Sequence, residues 1–185
     1  MKKRSVPRQI MGMLKTHSIA CIIATIVFVI ILNGVTNASI FANIISYVIA
    51  IYYGINMYFE AHSYATDDLK SYSPLKGYAA KGFVLSAGIV AVIIITWAFY
   101  KISWMVAPIT DKFIPSTVIA NILYIVFTGP FMLFVNVQGG DANTTGQIAA
   151  LLVPVLCSAW GYYDGFRKKD VTSFLNKFVY EKKKK

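Results

Sequence analysis

Charge is scarce in this chain. Asp, Glu, Lys and Arg make up 14% of its 185 residues, where a soluble domain carries about a quarter. That shortage excludes an ordinary soluble fold. No charged residue stands at the centre of any long apolar run. Carriers that move protons or ions place ionisable groups there, so the gap argues against a proton-coupled carrier. Histidine and cysteine are also few. His17 and His62 fall in segments read as surface, and Cys21 and Cys157 lie inside apolar runs. None has a neighbour at metal-ligand spacing, so neither a metal nor a cofactor is expected, and the cysteines read as small buried residues. A Gly-rich phosphate loop and a Gly-x-Ser-x-Gly elbow are both missing. No catalytic residue can be assigned, and the chain leans away from an enzyme.

Apolar sequence is what the chain has in quantity, at 57% of residues. Five runs stand out, at about 18–35, 38–59, 78–100, 118–137 and 147–163. A helix of about 20 apolar residues spans the hydrocarbon layer, so these predict an all-α, multi-spanning helical membrane bundle. Before it stands a basic leader, 1–17, and after it a basic tail, 164–185. A signal peptide ending at Ala38 is the weaker reading of the first run. The run 90–96 is rich in β-branched residues, but a chain in lipid must satisfy its own backbone, which favours helix.

The second run organises the rest. Ala38, Ala42, Ser46, Ala50 and Gly54 recur every fourth residue and form a ridge of small side chains on one helix face. Such a ridge lets a neighbouring backbone approach closely. Gly82, Ser86, Ala87 and Ala91 in the third run are small enough to meet it. Further along the second run, Tyr52, Asn56 and Glu60 share one stripe, with His62 just beyond. These four residues form the one candidate polar pocket, for an ion, a lipid head group or a partner. The plainer reading is an interfacial belt with Glu60 in water. Asn43, Asn121 and Tyr124, polar within apolar runs, read as hydrogen-bonded packing contacts.

Charge placement sets the number of crossings. The net charge is +10, and the Lys and Arg sit beside apolar runs. There they act as a topology signal and a contact for anionic lipid rather than as a nucleic-acid surface. If four runs cross and 118–137 enters and leaves by one face, sixteen of eighteen Lys and Arg lie on the cytoplasmic side. Gly129-Pro130 supplies the break, because proline removes a donor and clashes with the preceding turn. The expectation is four spans plus this broken or re-entrant segment, with five spans as the alternative. Both termini are then cytoplasmic and the protein is a multi-pass protein of the cell membrane. In the tail, Val171, Phe174, Leu175, Phe178 and Val179 follow a helical period. This predicts a surface helix, with Lys177, Lys182, Lys183, Lys184 and Lys185 at anionic head groups.

Pro74-Leu75-Lys76-Gly77 leading into a span, and Gly161-Tyr162 with Gly165 before a basic tail, resemble small integral membrane proteins of Gram-positive bacteria. The resemblance covers the layout of most of the chain. It implies a small bacterial membrane protein and carries over no catalytic or binding residue. The leading expectation for function is a non-enzymatic helper or subunit acting through helix packing, with a membrane-protein partner or a homo-oligomer. The alternative is a transport or permeation component that uses the broken segment, and an integral-membrane enzyme comes third.

Overall fold

The computed structural model describes residues 5–34, 38–70, 73, 75–106, 115–135 and 143–167. All the regular secondary structure among these residues is helical. In order come α1 (Val6–Gly34), α2 (Ala38–Asp68), α3 (Lys81–Val106), α4 (Pro115–Phe127), a 3-10 turn (Gly129–Phe131), a single helical turn α5 (Met132–Val135) and α6 (Thr144–Phe166). Four of them, α1, α2, α3 and α6, are long and apolar enough to cross a membrane, and α4 is a shorter apolar helix. This is the architecture of a multi-pass membrane bundle.

The four long helices form a closed ring. α1 packs on α2, α2 on α6, α6 on α3, and α3 back on α1. Gln9 of α1 meets Asp68 of α2, and His17 meets Tyr53, so these two helices are antiparallel. Gly54 faces Cys157, Gly161 rests on Tyr58 and Gly165 on His62, so α2 and α6 are parallel. α3 starts beside the end of α2, where Lys81 touches Asp68. One end of the bundle therefore gathers the starts of α1 and α3 and the ends of α2 and α6.

Small residues account for the tightest crossings. Ser46 and Gly54 of the α2 ridge are buried and Ala50 is half-buried; the side chains of Ala38 and Ala42 lie outside the described residues. The ridge meets α6 rather than α3, with Gly54 against Val153 and Cys157. Gly82 of α3 sits directly on the α6 backbone at Ser158 and Ala159, while Ala87 and Ala91 face outward. The expected meeting of α2 with α3 is replaced by α6 standing between them.

The segment around Gly129-Pro130 is broken as its sequence requires, and its course is re-entrant. Trp104 donates to Asn121 at 2.9 Å and Tyr100 stacks on Tyr124, so α4 runs back antiparallel from the end of α3. Both Asn121 and Tyr124 are packing contacts, as expected. The turn then reaches Cys21 and Tyr53. Cys21 stands thirteen residues before the end of α1, which places the tip about 20 Å in from the end by which the segment enters. α5 ends where α6 begins: the Val135 carbonyl accepts from the Asn143 amide at 2.7 Å, and Gly146 backs onto Phe134. The segment thus enters and leaves at the same end. Asn143 caps α6 through its side chain, which accepts from the Thr145 amide, as expected of Asn at that position.

Candidate functional site

Among the described residues, two polar centres join several helices inside the bundle, beside a smaller contact in which the Tyr58 hydroxyl of α2 donates to the buried Asp164 of α6 at 3.0 Å. The first joins all four long helices at the end that holds Asp68. Asp68 closes α2, and its carboxylate accepts from three neighbours. Lys81 Nζ of α3 is 2.6 Å from Oδ2, Tyr162 Oη of α6 is 2.8 Å from the same oxygen, and Gln9 Nε2 of α1 is 2.9 Å from Oδ1. The side chains of Lys81 and Asp68 are 1% and 0% exposed, so the ion pair is sealed from solvent. The ammonium also lies 5.8 Å from the Tyr162 ring centre, within cation–π range. Gly77 seats against the Tyr162 hydroxyl, and Gly82 and Gly161 let α6 approach α3 and α2 backbone to backbone. A side chain at either of these last two positions would strike main-chain atoms.

The second centre is at mid-depth and carries no acid or strong base. His17 Nδ1 is 2.9 Å from Tyr53 Oη. Cys21, one turn further along α1, places Sγ 3.5 Å from His17 Nε2 and donates to the Phe127 carbonyl at 3.6 Å. The reason lies in the break. Pro130 has no amide proton to give the Val126 carbonyl, and the Phe131 amide, which an unbroken helix would give to Phe127, donates to the Thr128 carbonyl at 2.7 Å instead. The Phe127 carbonyl is left to Cys21. Thr128 closes the end of α4 by donating through its hydroxyl to the Tyr124 carbonyl at 2.7 Å. Gly129 lies on the Cys21 backbone, and Phe131 meets the Tyr53 ring edge-on at 5.7 Å.

No family model, curated protein or solved structure matches the chain. Both centres are buried, and their polar groups largely satisfy one another. Among the described residues, no group of three or more His, Cys, Asp or Glu is placed to hold a metal ion.

The four residues of the sequence-derived pocket are dispersed. Tyr52 is 60% exposed on the outside of α2. Asn56 spends one amide proton on the Tyr52 carbonyl at 2.8 Å. Glu60 lies toward Gly12 of α1, and His62 stacks on Tyr58 on the α6 side. Drift of the four-residue spacing around the helix explains the dispersal. Lys177 and Lys182 to Lys185, with the amphipathic stretch 171–179, lie outside the described residues.

Sequence reasoning missed both centres. It ended the second run at Phe59 and began the third at Tyr78, which left Asp68 in the polar connection between them and Lys81 at the mouth of the third run. In fact α2 continues to Asp68 and α3 opens on Lys81. It also began the first span at Ser18, which put His17 on the surface. α1 starts at Val6 and His17 is 1% exposed. Ionisable groups thus do occur inside the bundle. One signal was available: Gln9, Met13, His17 and Cys21 recur every fourth residue and form the buried stripe of α1.

Proposed function

We propose that this chain is a small non-enzymatic protein of the cell membrane, working as a helper or subunit through helix packing. Its termini are cytoplasmic, and its basic tail adds contact with anionic lipid. The observation that carries this reading is the closed interior. Glycine backbones close the helix crossings, the re-entrant tip rests on α1, and the side chains of the ion pair are buried. A transporter needs a path and an enzyme needs a cleft where groups converge on substrate. The resemblance to small Gram-positive membrane proteins supports a small bacterial membrane protein and carries no role of its own.

A second reading, a permeation component, draws on one specific observation. The re-entrant tip stops at mid-depth against His17 and Tyr53, where broken segments of transporters place their sites. Reconstitution into liposomes separates the two. The helper reading expects proton, potassium and chloride leak equal to that of protein-free vesicles. It also expects a discrete complex on native gels of the source membrane. A leak that vanishes in His17→Leu would replace it with the permeation reading. For orientation, single cysteines at positions 3 and 183 should resist an impermeant reagent on intact cells while one at 142 reacts.

A further inference from the structure

We propose that the Asp68 centre binds an internal water molecule, which accepts from the Lys81 ammonium and donates to Oε1 of Gln9. This goes beyond the packing role, because it assigns the bundle interior a ligand.

The donors and acceptors of this centre do not close on themselves. An ammonium carries three protons. Lys81 gives one to Asp68 Oδ2 at 2.6 Å and lies 5.8 Å from the Tyr162 ring centre. At least one proton is therefore left without an acceptor among the described residues. Gln9 shows the opposite shortage. Its Nε2 donates to Asp68 Oδ1 at 2.9 Å, while Oε1 is buried and accepts from none of them. Turning the amide over is no remedy, because Oε1 would then face a carboxylate oxygen. Gln9 is 2% exposed and Lys81 1%. A buried ion pair offsets its desolvation only where its remaining protons and lone pairs are also hydrogen-bonded.

The two leftover groups fix the chemistry of the occupant. One is a donor and the other an acceptor, and both side chains hold the same carboxylate, Lys81 on one oxygen and Gln9 on the other. A cation is repelled by the ammonium. An anion is repelled by Asp68 and brings no proton for Gln9. A neutral molecule that both accepts and donates serves both groups, and water is the smallest that does. Buried waters of this kind make about three hydrogen bonds to groups that otherwise lack partners. Asp68 supplies the third. Its Oδ2 accepts from Lys81 and Tyr162, whereas Oδ1 accepts from Gln9 alone, so Oδ1 takes the second proton of the water.

The water also completes the ties between helices. Asp68 binds α2 directly to α1, α3 and α6. α1 and α3 pack on each other but share no direct polar bond in this centre, and the water supplies it. One resident water leaves the pair buried from bulk solvent, so removing either charge keeps its cost.

The test is water-edited solid-state NMR of the full chain in liposomes of deuterated lipid, with 15N at Nζ of the lysines. The Lys81 signal is the one that disappears in the double variant Lys81→Met with Asp68→Leu. In wild type this ammonium should gain magnetisation from water several-fold faster than the buried backbone amides around Met57. In Gln9→Leu, which removes the acceptor, the gain at Lys81 should fall several-fold. Wild-type transfer at Lys81 no faster than at those core amides overturns the inference, and that comparison needs no variant to fold. Transfer unchanged in Gln9→Leu overturns it too, because the water would then not bridge to Gln9. Neither outcome touches the native-gel and leak measurements, so the helper reading stands or falls separately.

Discussion

The two buried polar centres solve one problem at different depths. At the Asp68 end, a full ion pair is braced by Gln9 and Tyr162. At mid-depth, imidazole, phenol and thiol address one another and a single carbonyl. Charge is placed near the end of the bundle, and groups without formal charge are placed at mid-depth. An unpaired charge in a low-dielectric interior costs several kcal/mol more than an unpaired dipole. The comparison also separates two jobs. The ion pair ties four helices together at one end, whereas the mid-depth centre supports the tip of one broken segment.

The largest effect should come from splitting the ion pair. Lys81→Met keeps a long flexible stem and removes the ammonium, so the Asp68 carboxylate stays buried with only two neutral donors. Breaking a buried pair from one side costs ~3–5 kcal/mol. We expect a large drop in detergent melting temperature, mostly recovered in the double variant Lys81→Met with Asp68→Leu. A single variant as stable as wild type would mean that water reaches the pair, and the contrast between the two centres would disappear.

His17→Leu probes the other centre. It removes the partner of the Tyr53 hydroxyl and the neighbour of the Cys21 thiol. Leaving buried polar groups unsatisfied costs ~1–3 kcal/mol. The loss should be smaller than for Lys81→Met and should be confined to the re-entrant segment. Hydrogen exchange of residues 124–135 should accelerate while α2 and α6 keep their protection. Uniform acceleration along the whole chain would show that the mid-depth centre also holds the bundle.

Packing without polar groups gives the next step down. Gly54→Leu drives a side chain into Cys157 and Val153, and overpacking costs ~1–3 kcal/mol. Much of it should be relieved by movement of the Cys157 side chain. Ile51, one turn earlier and 63% exposed, serves as the control. Ile51→Leu should leave the melting temperature unchanged, and a Gly54→Leu variant as stable as that control would place the ridge toward lipid.

These centres also mark where the sequence stopped being informative. The long apolar runs and the Gly129-Pro130 break could be read directly, because length and a missing amide proton are local properties. The re-entrant course followed from charge placement, which sums over the chain. Helix ends were harder. α2 runs nine residues beyond Phe59 because Ala61, Ala65 and Asp68 still pack inward, and no apolar run announces that. Asp68 and Lys81 lie thirteen positions apart among Asp67, Lys70 and Lys76. Which acid and which base become buried is decided by where α6 brings Tyr162. The four-residue stripe of Tyr52, Asn56 and Glu60 was legible as a pattern, but spacing alone cannot tell an inward face from an outward one.

The smallest effect concerns the mouth of the re-entrant segment, where α4 leaves α3. Trp104 Nε1 donates to Asn121 Oδ1 at 2.9 Å, and one turn deeper Tyr100 stacks on Tyr124 with ring centres 5.1 Å apart. Trp104→Phe keeps an aromatic ring and removes the donor. A single neutral hydrogen bond contributes ~0.5–1.5 kcal/mol, and this one is only partly buried, so the shift in melting temperature should be the least of the series. A double-mutant cycle with Asn121→Leu isolates the bond from the packing lost with the larger ring. The two single variants and the double should destabilise by similar amounts, because each removes the same interaction. Strict additivity would mean that the pair contributes nothing, and that stacking of Tyr100 on Tyr124 alone holds α4 against α3. In that case the tip at mid-depth, rather than the mouth, fixes the segment, and His17→Leu should then free α4 along its whole length.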